Sequence, residues 1–228
     1  MYLSLSDITL HLAVANFDLV VSKVEVEEDE VQLLALACLS LAAKTEEDLP
    51  PAPELLLPLT GDIYDKADLA RMEKEACQTL KWKLRRNTAV LFLHYYSEIL
   101  GRAWRGVLRL GRALLDLGLG QVWCGTLAPS LLATTALLAA SYLEGRGWPE
   151  DVAKMTGYTA AQLLASLSVL LNLVTGEAEV PEGVRDKHAR AVNKLRTLSS
   201  EAVRGIVKNV KEEVERIPEN GGATMILI

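Results

Sequence analysis

The chain carries one helical pattern twice. The block QLLALACLSLAAK from Gln32 matches SLLATTALLAASY from Ser130, and LPLTGDIYDKADL from Leu57 matches VAKMTGYTAAQL from Val152, with a Thr-Gly pair held in both. The offset is 98 from Gln32 to Ser130 and 96 from Thr60 to Thr156, a two-residue gap that falls in a loop. A period near 100 is too long for a solenoid of small repeats and points to two copies of one domain. At 228 residues there is room for two such domains, each able to bury a core. Hydrophobic residues make up 50% and aromatic ones only 5%, with Leu and Ala dominant and few β-branched runs, which favours packed helices. The expected class is all-α.

Local signals place the elements. Ser6-Asp7 is an N-cap signal ahead of Leu10, Ala13, Val14, Phe17 and Val20-Val21, which fall at helical spacing. The acidic run Glu25–Glu30 leads into the most apolar helix, Leu33–Ala43, where negative charge suits the helix dipole. That helix ends on Lys44, and Pro50, Pro51 and Pro53 are expected to stop it. YDKADLARMEKEACQTLKWKL then carries Leu69, Met72, Ala76 and Leu80 on one face of an amphipathic helix, with Glu73, Cys77 and Leu84 on a second stripe, and Arg85-Arg86 closes the segment. From Asn87 the pattern restarts with TAVLFLHYYSEIL, AWRGVLRLGRALLDLGL, APSLLATTALLAASYLEG and WPEDVAKMTGYTAAQLLASLSVLLNLV. GLGQVWCG reads as a turn. In the polar tail, helices are expected around RDKHARAVNKLRTL and EAVRGIVKNVKEEVERI, followed by frayed final residues.

Several function classes are disfavoured. A net charge of −6 argues against a general nucleic-acid or anionic-membrane binder. Three widely spaced cysteines, Cys38, Cys77 and Cys124, suit neither a disulfide framework nor a zinc site and fit a reducing compartment. MYLSLSDITLHLAV lacks a basic start and a cleavage site, so no secretory leader is expected, and the apolar windows fall short of a membrane span. His11, His94 and His188 have no metal-ligand spacing, no phosphate loop or nucleophile elbow is present, and Cys124 has no base placed beside it. No catalysis, cofactor or metal is expected.

Because the halves repeat, their positions can be compared within one sequence. Lys44 falls opposite Tyr142, and Glu73, stepped along the later helix with Leu69 set against Leu163 at an offset of 94, falls opposite Leu167. The first copy therefore puts a lysine and a glutamate where the second has an aromatic and an aliphatic residue. Such a pair can form an intramolecular salt bridge at a helix end, or it can face a partner.

LHLAVANFDLVVS, QLLALACLSLAAKTEEDLPPAPEL, YDKADLARMEKEACQTLKWKL and PSLLATTALLAASYLEGRGWPEDVAKMTGYTAAQL together resemble a cyclin, most closely the mitotic A and B groups, with LKWKL also similar to D-type cyclins. The resemblance implies two tandem five-helix cyclin folds, an N-terminal kinase-binding box over 1–86 and a C-terminal fold over 87–204, followed by a helical or flexible tail over 205–228. It implies a regulatory subunit that binds and activates a cyclin-dependent protein kinase in cell-cycle control, located in the nucleus or cytoplasm. Lys44 and Glu73 match the charged pair with which cyclins engage the kinase, and Leu41, Thr45, Cys77, Trp82 and Leu84 fall on the same kinase-facing surface. For Cys77 and Leu84, packing inside their own domain is an equal alternative.

The pattern also departs from the family. The first fold is expected to lack its initial helix, which carries most of the patch that docks substrates and inhibitors, so that only Gln32 represents that patch. Asp18 matches an aspartate whose usual arginine partner lies on that helix, and is expected to be unpaired or exposed. Two rivals remain: a degenerate cyclin-like interaction protein that activates no kinase, and a cyclin-fold transcription factor of the IIB type. The acidic balance and the absence of paired CxxC motifs disfavour the latter.

Overall fold

The structure is a computed structural model and describes residues 5–175, 187–188 and 200–216. Among these every regular element is helical. The chain divides into two compact units, Met1–His94 with Leu119–Pro129, and Tyr95–Gly118 with Ser130–Ile228.

In the first unit, α1 (Asp7–Val21) starts at Ser6, whose side chain accepts a hydrogen bond from the Thr9 N–H. A single 3-10 turn, Glu28–Glu30, feeds α2 (Val31–Glu46). α2 is buried almost all round, from Leu33, Leu34, Leu36 and Ala37 through Cys38 to Ser40–Ala43, because α1 and α4 pack on either side of it. A helix enclosed in this way has no need of a polar stripe, which explains its run of apolar and small residues. The short α3 (Pro53–Leu56) and a 3-10 turn over Leu57–Thr60 lead to α4 (Lys66–Thr79). The core joins Val20 of α1, Leu33, Leu34, Cys38 and Leu41 of α2, Leu56 and Leu57 of the connection, and Leu69, Met72, Ala76, Cys77 and Leu80. Each fully buried Leu there contributes about 1.5–3 kcal/mol. α7 (Val122–Thr126) also belongs to this unit, so GLGQVWCG, expected as a turn, contains a short helix.

The prolines do not end α2. It stops at Glu46, where Glu47 turns extended (ψ 139°), and Pro53 instead opens α3 in the first helical turn, where its missing N–H costs nothing. Glu47 is drawn away from the helix by α1: its carboxylate accepts from the Ser6 N–H at 2.8 Å and from the Thr9 hydroxyl. These bonds hold the carboxyl below its ordinary value.

The second unit follows the same plan. α5 (Ala89–Leu100) crosses the division between the units, and α6 (Arg105–Gly118), α8 (Pro129–Leu143), α9 (Glu150–Thr156), α10 (Ala160–Thr175) and α11 (Ser200–Arg216) lie within it. α8 matches α2 in being buried on all sides, from Ala133 through Ser141. Its hydroxyls are satisfied locally, Thr134 and Thr135 by the carbonyls of Ser130 and Leu131 and Ser141 by that of Gly147. Both Thr-Gly pairs end a helical turn with glycine left-handed, Gly61 at φ 69° and Gly157 at φ 74°. The helix expected around RDKHARAVNKLRTL falls, but for Lys187 and His188, outside the described residues, as do the final residues. Those two residues both meet the buried Asp116 carboxylate, at 3.0 and 2.7 Å.

Candidate functional site: a charged pair beside an exposed tryptophan

α2 and α4 bring the first copy's two distinctive charges together. Lys44 lies in the last turn of α2, where a cation suits the carbonyl end of the helix. Glu73 is set in α4, whose start is fixed by a reciprocal capping box between Asp65 and Asp68. The Lys44 Nζ lies 2.5 and 2.7 Å from the two Glu73 carboxylate oxygens. The lysine side chain is 45% exposed and the glutamate 16%. The two charges thus face each other and are also open to solvent on the lysine side. Beneath them Leu41 and Cys77 are buried core residues, and Thr45 returns its hydroxyl to the Leu41 carbonyl at 2.7 Å.

The segment after α4 departs from the sequence expectation. The helix does not run to Leu84 but ends at Thr79, so Leu84 leaves the expected stripe with Glu73 and Cys77 and packs half-buried on the core. The cause is the backbone: Lys81 (φ 52°) and Trp82 (φ 59°) are both left-handed, and the Trp82 N–H returns to the Cys77 carbonyl at 2.8 Å. Trp82 is 70% exposed.

Three residues hold this segment: Asn16, which the sequence pattern does not single out, and Arg85 and Arg86, which it marks only as the segment's end. The wholly buried Asn16 of α1 donates from Nδ2 to the Leu84 carbonyl at 3.0 Å and accepts at Oδ1 from Arg86 Nε at 2.8 Å. Arg86 also donates to the Lys83 carbonyl, and Arg85 donates to the Thr45 carbonyl at 2.9 Å and to the Glu46 carboxylate at 3.1 Å. Arg85 therefore ties the exposed tryptophan segment to the end of α2 beside Lys44. Apart from the local Arg86–Lys83 bond, these contacts join residues about 40 to 70 positions apart, which no local pattern announces.

The remaining expected positions lie apart from this cluster. Gln32 is exposed in the first turn of α2. Asp18 is exposed and has no ion-pair partner among the described residues, and partial desolvation raises its carboxyl above the ordinary value. The three cysteines are free and buried, with the Cys38 and Cys124 thiols pushed up to about 12 by burial. No cluster among the described residues has the ligands for a metal ion, and none of their helices is long and apolar enough to cross a membrane.

A protein of two successive helical domains, each built round an enclosed helix, with a lysine–glutamate pair in the first at the positions that hold Tyr142 and Leu167 in the second, belongs to a recognisable class. The family model for the cyclin N-terminal domain matches residues 1–85, and that for the cyclin C-terminal domain matches residues 87–201. The chain belongs to the cyclin family. Cyclin-A1 of Carassius auratus is 33% identical over 79% of this chain and 46% of its own length. Cyclin-A2 of Gallus gallus is 32% identical over 79% of this chain and 46% of its own length. G2/mitotic-specific cyclin-B3 of Mus musculus is 30% identical over 72% of this chain and 12% of its own length. The likeness is to A- and B-type cyclins, and the chain spans less than half the length of these relatives.

Proposed function

We propose that this chain is a regulatory subunit that binds and activates a cyclin-dependent protein kinase in cell-cycle control, through a surface centred on Lys44 and Glu73 with Thr45, Trp82 and Leu84 around them and Leu41 and Cys77 beneath. The observation that carries the reading is that this pair exists in one copy of the repeat and is replaced by Tyr142 and Leu167 in the other. A half-exposed ion pair stabilises its own fold by only ~0–1 kcal/mol. Redirecting its hydrogen bonds to a partner therefore costs little. A charged hydrogen bond enclosed by an interface is worth ~2–5 kcal/mol when one side is removed.

Activation follows from binding alone. A kinase is active when the glutamate of its αC helix pairs with the strand-β3 lysine and its activation loop is aside. A surface that fits the active arrangement better than the inactive one shifts the population by its differential affinity, and a swing from 1:99 to 99:1 takes about 10⁴-fold. The chain supplies no catalytic group in this reading. Gln32 is the position from which substrates or inhibitors of the complex would be contacted.

The test is capture of cyclin-dependent kinases by the purified chain, followed by histone phosphorylation, for the wild type and Lys44→Ala/Glu73→Ala. Capture and activation by the wild type and loss of both in the variant are expected. A wild type that captures no kinase, or a folded double variant that still activates one, removes the reading.

A further inference from the structure

Lys81 and Trp82 occupy backbone positions that this chain otherwise gives almost entirely to glycine. Gly61, Gly101, Gly145, Gly147 and Gly157 all have positive φ, whereas the non-glycine residues with positive φ among those described are Asp62, Lys81 and Trp82. A side chain there costs about 1–2 kcal/mol per residue, and two fall in succession. Glycine at 81 would close the same helix end without that cost. The side chains are therefore kept for something other than the turn. Trp82 does not contribute burial either, being 70% exposed. Lys81 and Lys83 are exposed on either side of it, and neither has an ion-pair partner among the described residues. Arg86 is held by the uncharged Asn16, so within a chain of net charge −6 this knuckle is locally cationic. Its backbone is tied down by the Trp82–Cys77 and Lys83–Leu80 bonds and by Asn16 and Arg86 behind it.

We infer that Lys81, Trp82 and Lys83 form a charge-selective contact, one that takes a peptide segment presenting an apolar side chain to the indole with acidic side chains on both flanks. An exposed tryptophan on a hydrogen-bonded backbone has only two side-chain torsions to order on contact, and flanking charges set partner choice more than raw affinity. The identification of that segment as part of the kinase rests on the proposed function. Within that reading, the two lysines select among kinases by the acidity of the segment that meets Trp82.

The experiment follows the Trp82 indole N–H by NMR, assigned with Trp82→Phe, during titration with the peptide Glu-Glu-Phe-Glu-Glu and its glutamine counterpart Gln-Gln-Phe-Gln-Gln. The wild type is expected to prefer the acidic peptide by about tenfold, from two exposed charge contacts. Lys81→Gln/Lys83→Gln is expected to bring the two peptides within about twofold of each other. Lys81→Gly, which relieves the left-handed backbone, is expected to keep or raise the unfolding midpoint while losing part of the preference. An acidic preference that survives in the double variant, or its absence from the wild type, overturns the inference. Kinase capture measured in parallel decides the proposed function separately, since a chain that captures no kinase can still show the peptide preference.

Discussion

The two copies of the repeat share a scaffold and differ in what they do with it. α2 and α8 are both enclosed helices, and both Thr-Gly pairs close a turn with a left-handed glycine. α4 begins with the Asp65–Asp68 box, and at the same place before α10 the Thr159 N–H donates to Gln162 Oε1 at 2.9 Å while the Gln162 N–H reaches back to Thr159 Oγ1 at 3.4 Å. The copies part where Glu73 corresponds to Leu167. Glu73 reaches solvent and meets Lys44, while Leu167 is fully buried. The second copy spends that position on its core, and the first keeps it at the surface, at a small cost in packing. Conserved scaffold with divergent surface is the pattern expected when one copy has taken on binding.

Exchange across the repeat breaks the comparison most sharply. Leu167→Glu places an unpaired carboxylate in a dry core and is expected to destabilise by about 4 kcal/mol or more, whereas Glu73→Leu changes stability by only about 1 kcal/mol and abolishes kinase capture. Urea denaturation of the two variants reads the first difference, and equal losses would mean that the two copies do not differ in burial at this position.

A smaller effect is expected at Asn16. Asn16→Ala leaves the Leu84 carbonyl and Arg86 Nε without their protein partner, at a cost of about 2 kcal/mol. Because this residue fixes the segment carrying Trp82, kinase affinity should fall along with stability. Affinity that stays unchanged in a destabilised Asn16→Ala would show that the segment needs no support from α1.

The smallest effect is a pH dependence confined to the first unit. The Glu47 carboxyl is lowered by the Thr9 hydroxyl and the Ser6 backbone bonds, so the folded state binds its proton less readily than the unfolded chain. Its stabilisation is present in full above the ordinary value of 4.5 and is lost as pH falls through the depressed folded value. Denaturation across that acid range should show a steeper loss for the wild type than for Glu47→Gln. Identical slopes would remove Glu47 from the account of how α2 ends.

Much of this was legible in the residues. The enclosed helices announced themselves as Leu-Ala runs, α1 by Ser6, and α4 by Leu69, Met72 and Ala76 at helical spacing. The repeat alone singled out Lys44 and Glu73, since each stands opposite a residue of another kind. What was not legible depended on distant partners. The prolines predict the stop of α2 from sequence, but Glu47 reaching back to Ser6 and Thr9 ends it earlier. The amphipathic spacing of α4 carries the expected helix on through LKWKL to Leu84, yet Asn16 and Arg86 hold a left-handed turn there. The short α7 hid among glycines, and it belongs to the first unit although it follows α6 of the second in the chain.

The most direct test of the central claim is the affinity of a captured kinase for the wild type and for Lys44→Ala/Glu73→Ala, by titration calorimetry, with circular dichroism confirming that both are folded. The account predicts a loss of about 30-fold or more at nearly unchanged stability. Equal affinities in two folded proteins would show that the pair is only a salt bridge within the first unit, and that the kinase contact lies elsewhere.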